Sequence, residues 1–332
     1  MKILITGGAG FIGYHLARQL LLTNKKAKLT LVDNLARGRK DADFEELLKD
    51  SRVALLECDL TVPASHERLG KGYAHVYHLA ALNGTKLFYE QPHEVLRVNT
   101  LSLIYMLEWF RRENREGKFC FTSSNEAYAG GLNAFNQLPI PTPERVPLVI
   151  EDPYNPRWSY ASTKLVGELF VIHYAAKHNF RALIVRPHNF YGPRAGYDGH
   201  VIPDFCGRIA ARTDPFPVFG ARDSRTFCYI TDAVRAMQML MDSPKTDGQP
   251  IETVHIGATG ELMIRELTEK MFKVTGWHPQ KINIKNSPPG SVKRRLADVS
   301  KLQTLTDWKP EVSLEEGLKR TYEWYQMNRR TF

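Results

Sequence analysis

"TGGAGFIG", residues 6–13, decides the fold of this 332-residue chain. It follows the apolar run "KILIT" (2–6) and opens a helical pattern, so the glycines at 7, 10 and 13 fall in the turn between a strand and a helix. Each has a mechanical reason: Gly7 allows the tight turn, Gly10 lets backbone approach a pyrophosphate, and Gly13 permits close helix packing, with the helix N-terminus facing the phosphates. Asp33 ends the second apolar run 20 residues beyond Gly13, the spacing of an acid that binds adenosine ribose hydroxyls. A carboxylate there repels a 2′-phosphate and favours NAD over NADP, against the pull of Arg37, Arg39 and Lys40 nearby.

Outward from this turn, "KLTLVD" (28–33), "VALLECD" (53–59), "HVYHLAA" (75–81), "KFCFTSS" (118–124) and "RALIVRP" (181–187) alternate with longer helical patterns. Continuous apolar runs read as strands covered on both faces, and helical spacers read as crossovers, which predicts an α/β, Rossmann-type doubly wound parallel sheet. Residues 1–187 are expected to form the NAD-binding domain. Residues 188–332 are expected to form mostly a smaller substrate-binding lobe, with the sheet rejoined by about 228–260 through "TVHIGA" (253–258). The long segment 136–157 reads as a lid or binding loop.

The composition, 43% hydrophobic and 24% charged, is that of a globular chain. The net charge of +9 is scattered, with no run longer than "VKRR" (292–295), which argues against nucleic acid and for small phosphorylated anions. Cys58, Cys120, Cys206 and Cys228 form no CxxC pair. No apolar run approaches the roughly 20 residues of a membrane span. The opening "MKILITGG" leaves no room for a signal peptide, so a cytoplasmic location is expected. His75 with His78, and His173 with His178, lack a third ligand at metal spacing, so no metal site is expected.

"SYASTK" (159–164) puts Tyr160 and Lys164 one helical turn apart on one face. An ammonium beside a phenol lowers the phenol's pKa, which suits Tyr160 to act as a base, with Ser123 and Ser124 at the end of the fifth strand. From "TGGAGFIG" through "HLAA", "SYASTK" and "RPHNFYGPR" to "LADVSKLQTLTDWKPEVSLEEGLKRTYEWY" (296–325), the chain resembles the extended short-chain dehydrogenases/reductases of the NAD-dependent nucleotide-sugar epimerase/dehydratase family. The resemblance implies that Tyr160, Lys164 and Ser124 oxidise a sugar hydroxyl at C4. It implies cofactor contacts from Gly7, Gly10, Phe11, Ile12, Gly13, Asp33, Asn34, Arg37, Asp59, Leu60, Leu79, Ala80, Ala81, Asn99, Tyr160, Lys164 and Pro187. It further implies substrate contacts from Ser124, Asn125, Asn189, Arg225 and Arg294, and a homodimer built on helices near 95–114 and 159–178.

Glu126 is the informative departure. By the same resemblance, this position is small or apolar in simple 4-epimerases, and a glutamate in 4,6-dehydratases and UDP-glucuronate decarboxylases. Burial is expected to raise its pKa and suit it to accept a proton from a carbon beside the new ketone. Asn125 replaces the aspartic acid of the 4,6-dehydratases and cannot donate an acidic proton. "NPRWSYASTK" (155–164) is similar to UDP-glucuronate decarboxylases, whereas "GYDGHVIPDFCGR" (196–208) is similar to the substrate loop of GDP-mannose 3,5-epimerase. In that loop Asp198 or His200, beside Val201, could supply an acid. The expectation is an epimerase, with decarboxylase as the alternative and a non-catalytic dinucleotide sensor as the non-enzyme reading.

Overall fold

The structure is a computed structural model that describes residues 1–134, 138–196, 199–248, 251–288 and 290–328. The first half runs β1 (Lys2–Thr6), α1 (Phe11–Thr23), β2 (Lys28–Asp33), α2 (Ala42–Leu48), β3 (Val53–Glu57), β4 (His75–His78), α3 (Thr85–Glu90), α4 (Pro92–Glu113), β5 (Lys118–Thr122) and α5 (Glu126–Ala134). After the long loop come α6 (Trp158–His178), β6 (Arg181–Pro187), β7 (Phe190–Tyr191), α7 (Val201–Ala210), β8 (Phe216–Phe219), β9 (Ser224–Arg225), β10 (Cys228–Tyr229) and α8 (Ile230–Asp242). The chain closes with β11 (Glu252–Ile256), β12 (Leu262–Met263), α9 (Ile264–Thr275), β13 (Ile282–Lys285), β14 (Arg294–Arg295), α10 (Ser300–Thr306) and α11 (Leu314–Met327).

Seven strands form one parallel sheet in the order β11-β6-β5-β4-β1-β2-β3. The reversal of order beside β1 is the crevice where such folds bind ligands, and TGGAGFIG lies at its mouth. Successive side chains of β1 face opposite layers. Ile3 and Ile5 join Leu16 and Leu20 of α1 and Met237 and Leu240 of α8. Leu4 joins Met106 and Phe110 of α4 and Val171 of α6 on the other face. Burial on both faces is why these strands read as unbroken apolar runs.

The first apolar layer continues into the C-terminal half of the chain through Phe205, Phe216, Leu267, Met271 and Trp324, as one cluster. The apolar runs ending at Asp59, Ala81 and Ser124 overshoot: β3, β4 and β5 stop at Glu57, His78 and Thr122. The residues beyond leave the sheet at its carboxyl edge and shape the crevice. The segment after residue 137 is pinned rather than loose. Thr142 bridges to Ala297, Glu144 accepts from His255 N at 3.0 Å, and Leu138, Val146 and Ile150 pack on Tyr128 and Trp158. Among the described residues no helix is long and apolar enough to cross a membrane.

The glycine turn has no spare room. A Cβ on Gly13 would sit 2.2 Å from the Gly7 carbonyl oxygen, and Gly7 itself has φ +68°. Gly13→Ala is therefore expected to force the turn open and destabilise the protein by about 1–3 kcal/mol, with loss of bound NAD, read by thermal unfolding and nucleotide content.

Candidate active site

The strand ends gather a cofactor cradle. Asp33 closes β2 with Oδ2 accepting from Ala9 N at 3.0 Å and Oδ1 from Leu35 N at 2.8 Å, which ties the acid to the glycine turn. Burial raises its pKa, opposed by those two backbone bonds. Phe11 and Ile12 begin α1, whose first turn points its N–H groups at the cradle. Asn34 folds back on Ala36 N, and Arg37 follows in the same loop. Asp59 accepts from both the N–H and hydroxyl of Thr61, and Leu60 is buried beside it.

Thr6 Oγ1 accepts from Leu79 N and Ala80 N, which holds the 79–81 backbone against β1. Asn99 is a clamp: it accepts from Leu82 N at 2.6 Å and donates to Leu82 O and Thr163 Oγ1. Pro187 ends β6 on the opposite wall. The turn at Gly7 and Gly13, too tight for any side chain, and the anchored Asp33 at the end of β2 together match a dinucleotide-binding turn, and NAD fits these residues.

Tyr160 and Lys164 lie on α6 in the crevice, and the Tyr160 ring stacks on Phe88 of α3 at 5.2 Å. Ser124 hydrogen-bonds the phenol and accepts from Glu126 N at 3.1 Å. Lys164 Nζ donates to Thr122 O at 2.7 Å and lies 5.5 Å from the Tyr160 ring centre. Burial brings the ammonium down to about 7, opposed by Glu168. Glu168 sits one turn further on, bound by Arg186 at 2.7 Å and Ser123 at 2.5 Å. The lowered phenol pKa expected from Lys164 is not found in the protein alone. Burial, then the charge of Glu126, raises it, with Ser124 opposing.

Glu126 reverses its expectation most clearly. Burial does push its pKa up, but Arg295 and then Arg157 outweigh burial and hold it at about 2. Arg295 Nη1 donates to Oε1, and Arg157 Nη1 lies 3.3 Å from Oε2. A carboxylate in that field is a weak base. Arg225 adds a third guanidinium; burial and then the like charge of Arg295 lower it to about 9. Asp223 lies 3.9 Å from Arg225, so three guanidiniums face two carboxylates.

The other expected substrate residues divide. Asn125 is buried with its amide 3.5 Å from His188 Nδ1, and the other ring nitrogen lies 3.3 Å from Tyr128 OH. Asn189, at φ +44°, donates to Thr226 O. Arg294 points away: in β14 adjacent side chains alternate, so Arg295 faces Glu126 while Arg294 forms a bidentate pair with Glu261 at 2.7 and 2.8 Å. Val201 begins α7 and His200, the residue before it, is exposed. Asp198 lies outside the described residues. Among the described residues no cluster of three or more His, Cys, Asp or Glu side chains could hold a metal.

Sequence reasoning missed Arg157 and Arg295. Arg157 stands three residues before Tyr160 at the start of α6, a helical spacing that could have put both on one face. Arg295 could not be chosen over Arg294 without strand register.

The profile of the NAD dependent epimerase/dehydratase family matches residues 3–292, and the chain belongs to that family. It is similar to the UDP-N-acetyl-alpha-D-glucosaminuronate decarboxylase of Bacillus cytotoxicus, with 32% identity across 98% of each chain. It is also similar to UDP-glucuronic acid decarboxylase 6 of Arabidopsis thaliana, with 30% identity over 96% of this chain and 87% of that one. In structure it resembles the UDP-glucuronic acid 4-epimerase of Bacillus cereus, solved in complex with UDP-glucuronic acid and NAD. That match has TM-score 0.81 and 26% identity, and covers 98% of this chain and 99% of the other. The protein is thus an NAD-dependent enzyme of nucleotide-sugar chemistry.

Depression of Glu126 from 4.5 to about 2 corresponds to about 3 kcal/mol of stability at neutral pH. A folded-state pKa below the unfolded value gives stability present above 4.5 and lost as pH falls toward 2. Glu126→Gln should therefore lower stability in urea melts at pH 7, with the gap from the unaltered protein narrowing below pH 4.5. Lys164→Met should slow turnover of a nucleotide-sugar substrate by about 10²-fold in a steady-state assay.

Proposed function

We propose that the protein oxidises C4 of a nucleotide-diphosphate-linked uronic acid and then releases the C6 carboxylate as carbon dioxide. One observation carries this reading: the surplus of buried guanidinium around Glu126. Arg157 Nη1, within ion-pair range of Glu126, and Arg295 Nε are buried without a hydrogen-bond partner among the described residues. Unpaired buried donors are costly, and a substrate carboxylate satisfies them with charge-assisted bonds. The uronic-acid substrates named for the relatives above support the same choice.

Tyr160 takes the proton of the 4-hydroxyl, with Ser124 hydrogen-bonded to the same oxygen and Lys164 favouring the phenolate. When bound, NAD supplies the hydride acceptor and a positive ring that lowers the phenol's pKa. A ketone at C4 makes the C6 carboxylate a β-keto acid. The C5–C6 bond then breaks, its electron pair passes into an enolate at O4, and carbon dioxide leaves. C5 takes a proton from water, which re-forms the ketone at C4, and as C4 regains the hydride it had given up, Tyr160 returns its proton to O4, so the pentose is formed with no net oxidation.

No base need remove the C5 hydrogen, which agrees with a Glu126 kept ionised and paired. Its role in this reading is to hold Arg157 and Arg295 in place. Decarboxylation is accordingly preferred to the epimerisation expected from sequence. A homodimer through α4 and α6 belongs to the same reading, supported by exposed Leu96, Val166 and Leu169 on those helices.

Incubation with UDP-glucuronate and with UDP-glucose in D₂O, followed by mass and NMR analysis, tests the reaction. The expected result is loss of carbon dioxide from the uronate only, with deuterium at C5. Retained carbon with inverted stereochemistry at C4 or C5 would restore the epimerase.

A further inference from the structure

We infer that Arg194, a residue of the second half of the chain, is the latch that retains NAD. It holds shut the loop that covers the adenosine end of the cradle. That loop, residues 34–41, lies directly on the cradle: a Cβ on Gly38 would be 2.7 Å from Ala9 Cβ and 2.9 Å from Asp33 Oδ1. A ribose held by Asp33 has this loop as its outer wall, so release of the adenosine end requires the loop to move.

Arg194 grips the loop from behind. Its Nε donates to Asp41 Oδ2 at 2.8 Å, and both side chains are almost fully buried, 4% and 7% exposed. Its Nη2 donates to Arg39 O at 3.2 Å and reaches Ala9 O at 3.5 Å, so one guanidinium bonds both the covering loop and the glycine turn. The guanidinium stacks 4.1 Å from the Tyr14 ring centre on α1 and faces Phe44 of α2 at 5.8 Å.

The residues around the latch are fastened as well. Pro193 O accepts from His15 Nε2 at 2.9 Å, and burial lowers that imidazole to about 4, so it is neutral at pH 7. Ala195 O accepts from Tyr325 OH. Trp324 Nε1, next door on α11, donates to Asp43 Oδ2 at 2.8 Å. Arg194 holds φ +67°, a conformation uncommon outside glycine and kept only where the surroundings require it. The backbone bends here to deliver the side chain, and the same segment begins at Asn189 beside the substrate site. Removing one partner of so buried a pair leaves the other uncompensated, and the loop then opens more often.

Arg194 is a positioning residue and takes no part in the chemistry. The test compares the whole chain with Arg194→Met, Arg194→Lys and Asp41→Asn. Methionine and lysine carry a Cβ like arginine and leave the backbone strain as it is. Asparagine can still cap α2, where Asp41 Oδ1 accepts from Phe44 N. Bound NAD per chain after gel filtration, the rate of NAD release on dilution, and KM for NAD against kcat at saturation are measured. Arg194→Met and Asp41→Asn should release NAD at least about tenfold faster, equivalent to about 1.4 kcal/mol, and come to depend on added NAD. Their kcat at saturating NAD should stay within about twofold of the unaltered protein, with Arg194→Lys intermediate. Unchanged NAD release in Asp41→Asn or in Arg194→Met, or a fall in kcat without faster release, would overturn the latch. Because NAD release is measured without any sugar, this result stands or falls separately from the proposed decarboxylation.

Discussion

The Glu126 carboxylate is the point on which the cleft at the carboxyl edge of the sheet is built. It stands at the first turn of α5, immediately after the carboxyl end of β5, and receives Arg157 from the start of α6 and Arg295 from β14. Those partners are 31 and 169 residues away in the chain, so one side chain joins the sheet, the catalytic helix and the lobe. A lone buried carboxylate would be driven to protonate, and lone buried guanidiniums would be costlier still. Packed together, the carboxylates and guanidiniums are mutually tolerable, with a surplus of positive charge left over.

The same low-dielectric setting governs the reacting residues. Burial raises Tyr160 and lowers Lys164, so in the protein alone the phenol keeps its proton and the ammonium is only partly charged near neutral pH. In the proposed reaction the charge that activates the phenol would come with the cofactor, so retention of NAD would be a condition of that reaction. Two buried ion pairs flank the crevice: Arg186 with Glu168, one turn beyond Lys164, and Arg194 with Asp41 at the loop after β2.

Much of the fold could be read directly because its signals are local. A strand buried on both faces must be apolar throughout, and a turn with 2.2 Å of clearance for a Cβ must be glycine, so β1, β2, β6 and the glycine turn are visible in composition and spacing. Strand ends were less legible, since Asp59, Ala81 and Ser124 remain compatible with extended chain after the sheet has stopped. At the site, Tyr160 with Lys164 shows itself by helical period. Glu126 was visible as a residue but not in its charge, because its pKa is set by arginines remote in sequence. Arg294 was chosen where Arg295 faces inward, because a two-residue strand carries no periodicity from which to read its facing side.

The amino-acid sequence by itself therefore determined the sheet, the glycine turn, the acid that closes β2 and the pairing of Tyr160 with Lys164 on one face of a helix. Each of these depends on residues close together in the chain or on a repeating period. Only the tertiary structure decided that Glu126 is an ionised anchor, that Arg157, Arg225 and Arg295 converge on it, and that Arg194 reaches back 153 residues to Asp41. Electrostatic environment and long-range pairing depend on distance in space, and a pKa or a latch exists only once folding has brought those charges together and removed the water between them.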